Sequence, residues 1–484
     1  SLNGNGGAIF NYYGGNLELR KCNLSSNTMT STYMDGGGAI ANYESMVLDS
    51  CVLENNHALN NRGGGAIYSY HAIGGTFLTN CTIKGNSAGS GGAIRNQDAE
   101  NYHSEGISLS LINCILAENQ AYKDVGGAIS SNADHNKVVL NNCIVRDNTA
   151  FTSGGGIHYG NNTLEMVNCT VSRNISQGGG SYPVNTGGGG IYTTSLGSYV
   201  YLHNCTISGN VASSDIGLGG GGIYYNSSDS NLRCINCTIT DNYAFTGAGI
   251  SGRNIQLKNT VLAGNRGHDL YKSDEVVSSY GYNLIGNVSR DGSTSEFSWE
   301  SDTDIVSGDV KSGDIFSGIL ANNGGQTIGA PGGTEQILTL ELKPGSPAID
   351  QAANTDIFGS PIVKDQRGVS RPQGDYNDIG AFERELVSYS ITTTVTAGGT
   401  IDPVSADVPE GADQTFTITP YDGYILNDLL NSEESVSADM AGNDYTFTNV
   451  VQNDTLNAAF IIDPAMKEEA GVGDFQVENE GIGS

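Results

Sequence analysis

Charge, tryptophan and long apolar runs are scarce in this chain, and each shortage closes off a class of protein. Only 15% of the 484 residues are charged and one is tryptophan, which suits neither a charged helical bundle nor an acidic disordered chain. No stretch of eighteen apolar residues occurs, so no segment is long enough to span a membrane as a helix. No basic, then apolar, then small-residue leader opens the sequence, so the expectation for an exported protein is a signal already removed. Lys and Arg number 22 against 52 Asp and Glu. The resulting formal charge of −30 argues against nucleic acid and anionic lipid as partners. The imbalance is uneven, with a net −4 over residues 1–270 and −26 over 271–484, which marks a boundary near residue 270. An acidic surface favours solubility, and Ca²⁺ is the one cofactor it leaves open.

Glycine, by contrast, is abundant at 68 residues, and it is ordered. A Gly-Gly-Ala/Gly-Ile motif ends at Ile9, Ile40, Ile67, Ile94, Ile129, Ile157, Ile191 and Ile223, and a ninth copy ending at Ile250 has Ala248 in second place. In phase with it runs a heptad such as "NCTISGN", Asn204 to Asn210. The isoleucines lie 27 to 35 residues apart, so loops vary while the motif holds, as in a solenoid. Alternating runs such as "LEMVNC" indicate short half-buried strands. Three runs per unit predict a triangular coil, and coils spaced ~4.8 Å stack into a rod of parallel sheets.

Alignment of the copies gives columns. Eight of the nine cysteines share one: Cys22, Cys51, Cys81, Cys114, Cys143, Cys169, Cys205 and Cys237, with Thr260 closing the series. Cys234 stands in the apolar column three places earlier. These thiols read as small buried packing residues, with a few bridges or a metal site as the alternatives. Five places on stands an asparagine in all nine units: Asn27, Asn56, Asn86, Asn119, Asn148, Asn174, Asn210, Asn242 and Asn265. Stacked amides that bond one another predict a ladder.

The paired "GGAI" and "NCTISGN" signatures resemble those of secreted bacterial right-handed parallel β-helix proteins. They are similar to the repeats of chlamydial polymorphic outer-membrane proteins. That resemblance covers residues 1 to about 265 and implies an all-β fold, with parallel β-helix repeats over 1–270, but the architecture serves adhesins, passive surface proteins and polysaccharide-cleaving enzymes alike. In 271–386, "LKPGSPAID", "DQRGVSRPQ" and "DIGAFE" resemble the choice-of-anchor Q domain, which implies final irregular coils and a C-terminal cap. Residues 387–462 alternate around Gly-Gly and Asp-Gly turns, predicting a small antiparallel, sandwich-like β module similar to the divergent internalin B-type repeat. Residues 463–484 read as a linker or tail, resembling the region ahead of the sorting domain in type IX secretion cargo.

Chemistry-bearing patterns are few. "GNSAG" at Gly85 fits a hydrolase elbow and "GAGISG" at Gly247 a dinucleotide fingerprint, but both lie inside the repeat, away from any strand-to-helix turn. Asn80, Asn168, Asn204 and Asn236 head Asn-x-Ser/Thr triplets that follow from the repeat itself. Arg146 and Arg173 fall in neighbouring coils. Tyr68, Tyr70, Tyr159, Tyr192, Tyr224 and Tyr225 cluster near the Gly-Gly-Ile strand, where aromatics can stack on sugars or on each other. Asp365, Arg367, Arg371, Asp375 and Asp378 read as an internal ion-pair network. The expectation is therefore an extracellular or cell-surface protein with no catalytic or cofactor residues, acting in adhesion, matrix or surface structure. Glycan, host or matrix surfaces and end-to-end self-association are the expected partners, without direct membrane insertion. Polysaccharide cleavage or glycan binding is the competing reading.

Overall fold

The computed structural model describes residues 6–469, apart from 13, 31–34, 60–61, 71–73, 98–105, 133–135, 161, 180–186, 194–196, 214–218, 228, 273–276, 291–300, 309 and 386. The chain divides into two compact units, Ser1–Arg384 and Glu385–Ser484.

The first unit is a β-helix whose first and third sheets each have eleven strands and whose second has ten. Strands pair in parallel at equivalent positions of successive coils, Ile9 with Ile40, Leu19 with Leu48, Ile83 with Leu116. The aligned columns are therefore the register, and the isoleucine, leucine and cysteine columns form one continuous core. The first seven coils have a fourth side that the triangular reading omits, and isolated bridges at Tyr243 and Arg266 extend it. Two-residue strands such as Thr28–Met29 and Val211–Ala212 build a seven-stranded sheet. Two residues are too few for alternation to show in sequence.

The heptad makes the corners. Asn80, Asn113, Asn142, Asn168, Asn204 and Asn236, each just before its cysteine, have φ between 50° and 53°. The residue before each ladder asparagine is also left-handed, among them Asn55, Gly85, Asp147 and Gly209. Asparagine and glycine tolerate this region best, which explains the Asn and Gly of "NCTISGN".

The ladder asparagines are fully engaged. From Asn27 to Asn265, each Nδ2 donates to the Oδ1 of the next at 2.8 to 3.0 Å. The same Oδ1 accepts the backbone N–H of the preceding ladder residue, as Asn148 does from Asn119 at 2.9 Å. All donors point one way, so the last needs a pure acceptor. Asp269 supplies it, taking Asn265 Nδ2 at 2.7 Å and, on its other oxygen, the Asn287 N–H at 2.7 Å. The nine cysteines are free thiols, and those of the column lean on the carbonyl two residues earlier at 3.2 to 3.3 Å. Their column continues through Thr260 and Asn283 to another carboxylate, Asp304.

Residues 271–384 hold both further coils and a segment laid along the flank of the stack. Strands to Ile305–Val306 continue the coils, but 312–384 then run back along the flank, over the outer face of the third sheet. The backbone N–H of Ala330 reaches Thr82 Oγ1 at 3.0 Å, Thr170 Oγ1 donates to Leu338 O at 2.7 Å, and Ala381 N–H donates to Thr238 Oγ1 at 3.0 Å. Between these anchors Ile115 and Ile144 pack on Ile328 and Ile337, and Val261 and Leu284 on Ile315, Phe316 and Leu342. A sheet whose outer row is Thr, Ile and Val must be covered, and this strap covers it. Gln366 bridges two coils, donating to Thr170 Oγ1 at 2.9 Å and accepting from Thr206 Oγ1 at 2.5 Å. Gln366→Ala should cost about 1–3 kcal/mol locally. Hydrogen exchange should then quicken over 360–384 while the coil core keeps its protection; equal loss in both would refute a separable strap.

The second unit packs a five-stranded sheet against a three-stranded one around Ile391, Phe416, Leu429 and Leu456. Its pairs are antiparallel except one. The first strand, Ser388–Val395, runs parallel to the last, Asp454–Ile462, and antiparallel to Ser405–Pro409 on its other side. Pro464–Glu469 forms a short helix, and 470–484 of the expected tail lie outside the described residues.

Candidate functional site

Alternation places the residue after each motif isoleucine on the outer face of the first sheet and the next one inside. Tyr68, Tyr192 and Tyr224 accordingly face outward, while Tyr159 and Tyr225 are core residues, two corrections to the expected surface cluster. His158, Tyr192 and Tyr224 stack between coils at 5.2 Å centroid spacing, but both of these tyrosines are buried. That part of the row is internal stacking.

The first three coils differ. Phe10 and Tyr12 are 44% and 56% exposed, and their rings lie 5.3 Å apart. Tyr43 meets Phe10 edge-on at 5.4 Å and Tyr70 at 5.3 Å, and Tyr70 stacks on the buried Tyr68 at 5.9 Å. Five rings thus form one platform across three coils, with open faces at one end. Sequence reasoning singled out only Tyr68 and Tyr70; Phe10 shares the Tyr68 column, one place after the motif isoleucine, and Tyr12 and Tyr43 share the Tyr70 column, three places after it, so all three were legible.

Charge gathers beside the platform. Burial pushes the carboxyls of Asp35 and Asp124 up, against the pull of Arg95 and Arg62. Burial also lowers Arg95 and raises Tyr68, which bonds Asp35. Arg95 is enclosed, its Nη1 donating to Ser90 Oγ at 2.6 Å and its Nε to Gln97 Oε1 at 3.1 Å. So held, it supports the rings but is not placed to take a proton from a ligand.

The other sequence-derived groups are also occupied. Arg146 pairs with Asp147 at 2.7 Å and Glu335 at 2.5 Å, and Arg173 with Asp147 at 2.7 Å. Burial works against the Asp147 charge, but hydrogen bonds from Arg173 and Arg146 hold its carboxyl below the usual range. In the strap, Arg367 pairs with Asp365 at 2.8 Å and the buried Arg371 with Glu383 at 3.1 Å, with Asp378 receiving backbone N–H groups. Burial pushes Asp378 and Glu383 up to about 6 and about 7. Glu383 was missed by sequence reasoning, and Asp375 is exposed, outside this network.

Ser87 of "GNSAG" does meet a histidine, with Oγ 2.5 Å from His57 Nδ1. Its own N–H, however, is spent on Asn56 O at 2.9 Å in the ladder, and no helix follows, so an elbow with an oxyanion hole is not built. "GAGISG" likewise runs into the strand Ile250–Gly252. Asn204 and Asn236 donate through Nδ2 to the preceding corner asparagine at 3.2 Å. Among the described residues no three His, Cys, Asp or Glu side chains converge as metal ligands, and no helix is long and apolar enough to cross a membrane.

A family model, the Chlamydia polymorphic membrane protein repeat, matches residues 50–70. That stretch runs from Cys51 through Asn56 to the Gly-Gly-Ala-Ile of the third coil, so the match rests on the residues that build the corners and the ladders. No curated protein matches the chain. The crystal structure of pectate lyase Pel9A is similar at 16% identity over 75% of this chain and 87% of that one, with a TM-score of 0.39. At that level the likeness carries nothing about activity. The chain is a β-helix repeat protein by its own sheets.

Proposed function

We propose that this chain is a non-catalytic surface protein that adheres to glycans through the aromatic platform of its first three coils. The platform itself carries the reading: half-exposed Phe10 and Tyr12, backed by Tyr43, Tyr68 and Tyr70, offer apolar faces suited to sugar rings. The engaged state of Arg95, Arg146, Arg173 and the strap carboxylates supports binding over cleavage. The repeat match supports a surface setting.

Binding to a panel of insoluble and arrayed neutral polysaccharides tests this. The double variant Phe10→Ala, Tyr12→Ala should lose at least about tenfold in affinity, each ring contributing on the order of 1 kcal/mol, with no change in melting temperature. Undiminished binding would remove the platform from the reading. New reducing or unsaturated ends after incubation with Ca²⁺ would replace adhesion by cleavage.

A further inference from the structure

The flank of the first unit holds a cavity distinct from the platform. It lies where the fourth sheet meets the strap, has a volume of about 420 Å³, and is lined by Arg173, Asp241, Tyr243 and Arg266 with Ile319 and Leu320 of the strap. That volume falls within the range of small-molecule sites.

Its chemistry is unlike the rest of the rod. Tyr243 and Arg266 are bridge partners in successive coils, so ring and guanidinium stand side by side at one coil's rise. Tyr243 is 50% exposed and Ile319 86%. Arg173 is fixed by Asp147, its Nε and Nη2 donating at 2.7 and 3.0 Å. Asp241 accepts a bond from Ser312 Oγ at 3.0 Å. Arg266 is exposed, and no carboxylate among the described residues pairs with it. On a chain of net charge −30, an unmatched guanidinium inside a concavity, beside an open aromatic face, is the feature that calls for a ligand.

The geometry points to a binding site for an acidic saccharide, its carboxylate on Arg266 and its ring face on Tyr243, with Ile319 and Leu320 closing the apolar side. Fork-shaped guanidinium donors match a carboxylate's two oxygens, and because the two guanidiniums of the lining, Arg173 and Arg266, outnumber its one carboxylate, Asp241, a singly charged sugar is favoured over a neutral one. This site is independent of the platform and stands or falls separately from it.

Calorimetric titration of the full chain with D-glucuronate, with D-glucose and acetate as controls, tests the assignment. Saturable glucuronate binding that weakens with added salt, and exceeds that of both controls at least tenfold, is expected. Arg266→Gln and Tyr243→Ala should each cost about tenfold or more, with thermal melting unchanged because both side chains are at the surface. The Phe10→Ala, Tyr12→Ala variant should bind glucuronate as the parent does. No saturable binding, equal binding of glucose, or full affinity in Arg266→Gln overturns the site, and equal binding of acetate overturns the assignment to a sugar.

Discussion

Gly92→Ala should split the coil stack between the fourth and fifth coils. An added Cβ would stand 2.1 Å from the carbonyl oxygen of Gly127 and 2.5 Å from the backbone N of Gln120. Both obstacles are main chain locked in the ladder, so neither can swing aside as a side chain would. Overpacking against backbone belongs to the severe end of point substitutions, about 3–5 kcal/mol. Because each coil is stabilised by its neighbours, the loss should appear as a weakened junction, with guanidinium unfolding shifted to lower midpoint and new proteolytic cuts near 92 and 127. Gly313→Ala is the matched control, since nothing lies within 4 Å of the new methyl, and it should be neutral or slightly stabilising. An intact midpoint in Gly92→Ala would mean that the coils are looser than their register implies. Ala248 shows how the rule is relaxed: it fills the same place in the ninth copy, and the following coil sets Gly267 against it, where even a methyl would come within 3.0 Å of the Ala248 Cβ.

Why the coils were legible and the strap was not follows from the distance over which each is encoded. In-register stacking puts equivalent residues on top of each other, so Asn119 and Asn148 or Leu48 and Leu78 must be chemically alike, and that repetition is written in the sequence. The strap joins residues far apart, Thr82 to Ala330 and Thr206 to Gln366, with no period to betray it. One trace existed. The threonine of "NCT" faces outward by alternation, yet Thr170, Thr206 and Thr238 are wholly or almost wholly buried, and it is this hydroxyl that holds the strap. The inward placement of Tyr159 and Tyr225 was also available, since two residues beyond an inward isoleucine the chain faces in again. The cavity residues carried no signal, because Arg266 and Tyr243 become neighbours only through pairing on the short fourth side.

Asn148→Asp should destabilise the rod far more than Asp269→Asn, although the two exchanges are chemically inverse. Asn148 Oδ1 accepts from Asn119 through both N–H and Nδ2 at 2.9 Å, and its Nδ2 donates to Leu116 O at 3.0 Å and Asn174 Oδ1 at 2.9 Å. A carboxylate there keeps the accepted bonds but sets its second oxygen against two buried acceptors. With the unsatisfied groups costing about 1–3 kcal/mol each and a buried charge added, the loss should reach roughly 4 kcal/mol or more. At the ladder's end the carboxylate is the right group, because the second oxygen of Asp269 meets a donor, the Asn287 N–H; an amide can still receive Asn265 there, so the loss should be nearer 1–2 kcal/mol. The sign of the pH response separates this account from mere crowding. Repulsion raises the folded pKa of the new carboxyl above its unfolded value, so the folded chain binds the extra proton and stability rises as pH falls from about 7 towards 4. Protonation restores one donor to the ladder. Denaturant midpoints of Asn148→Asp should therefore climb towards those of the parent on acidification, whereas Asn148→Leu, which leaves the same two acceptors and also the Asn119 donors unsatisfied but has no titrating group, should show no such recovery. A parallel response in both variants would show that the ladder's donor direction does not govern its stability.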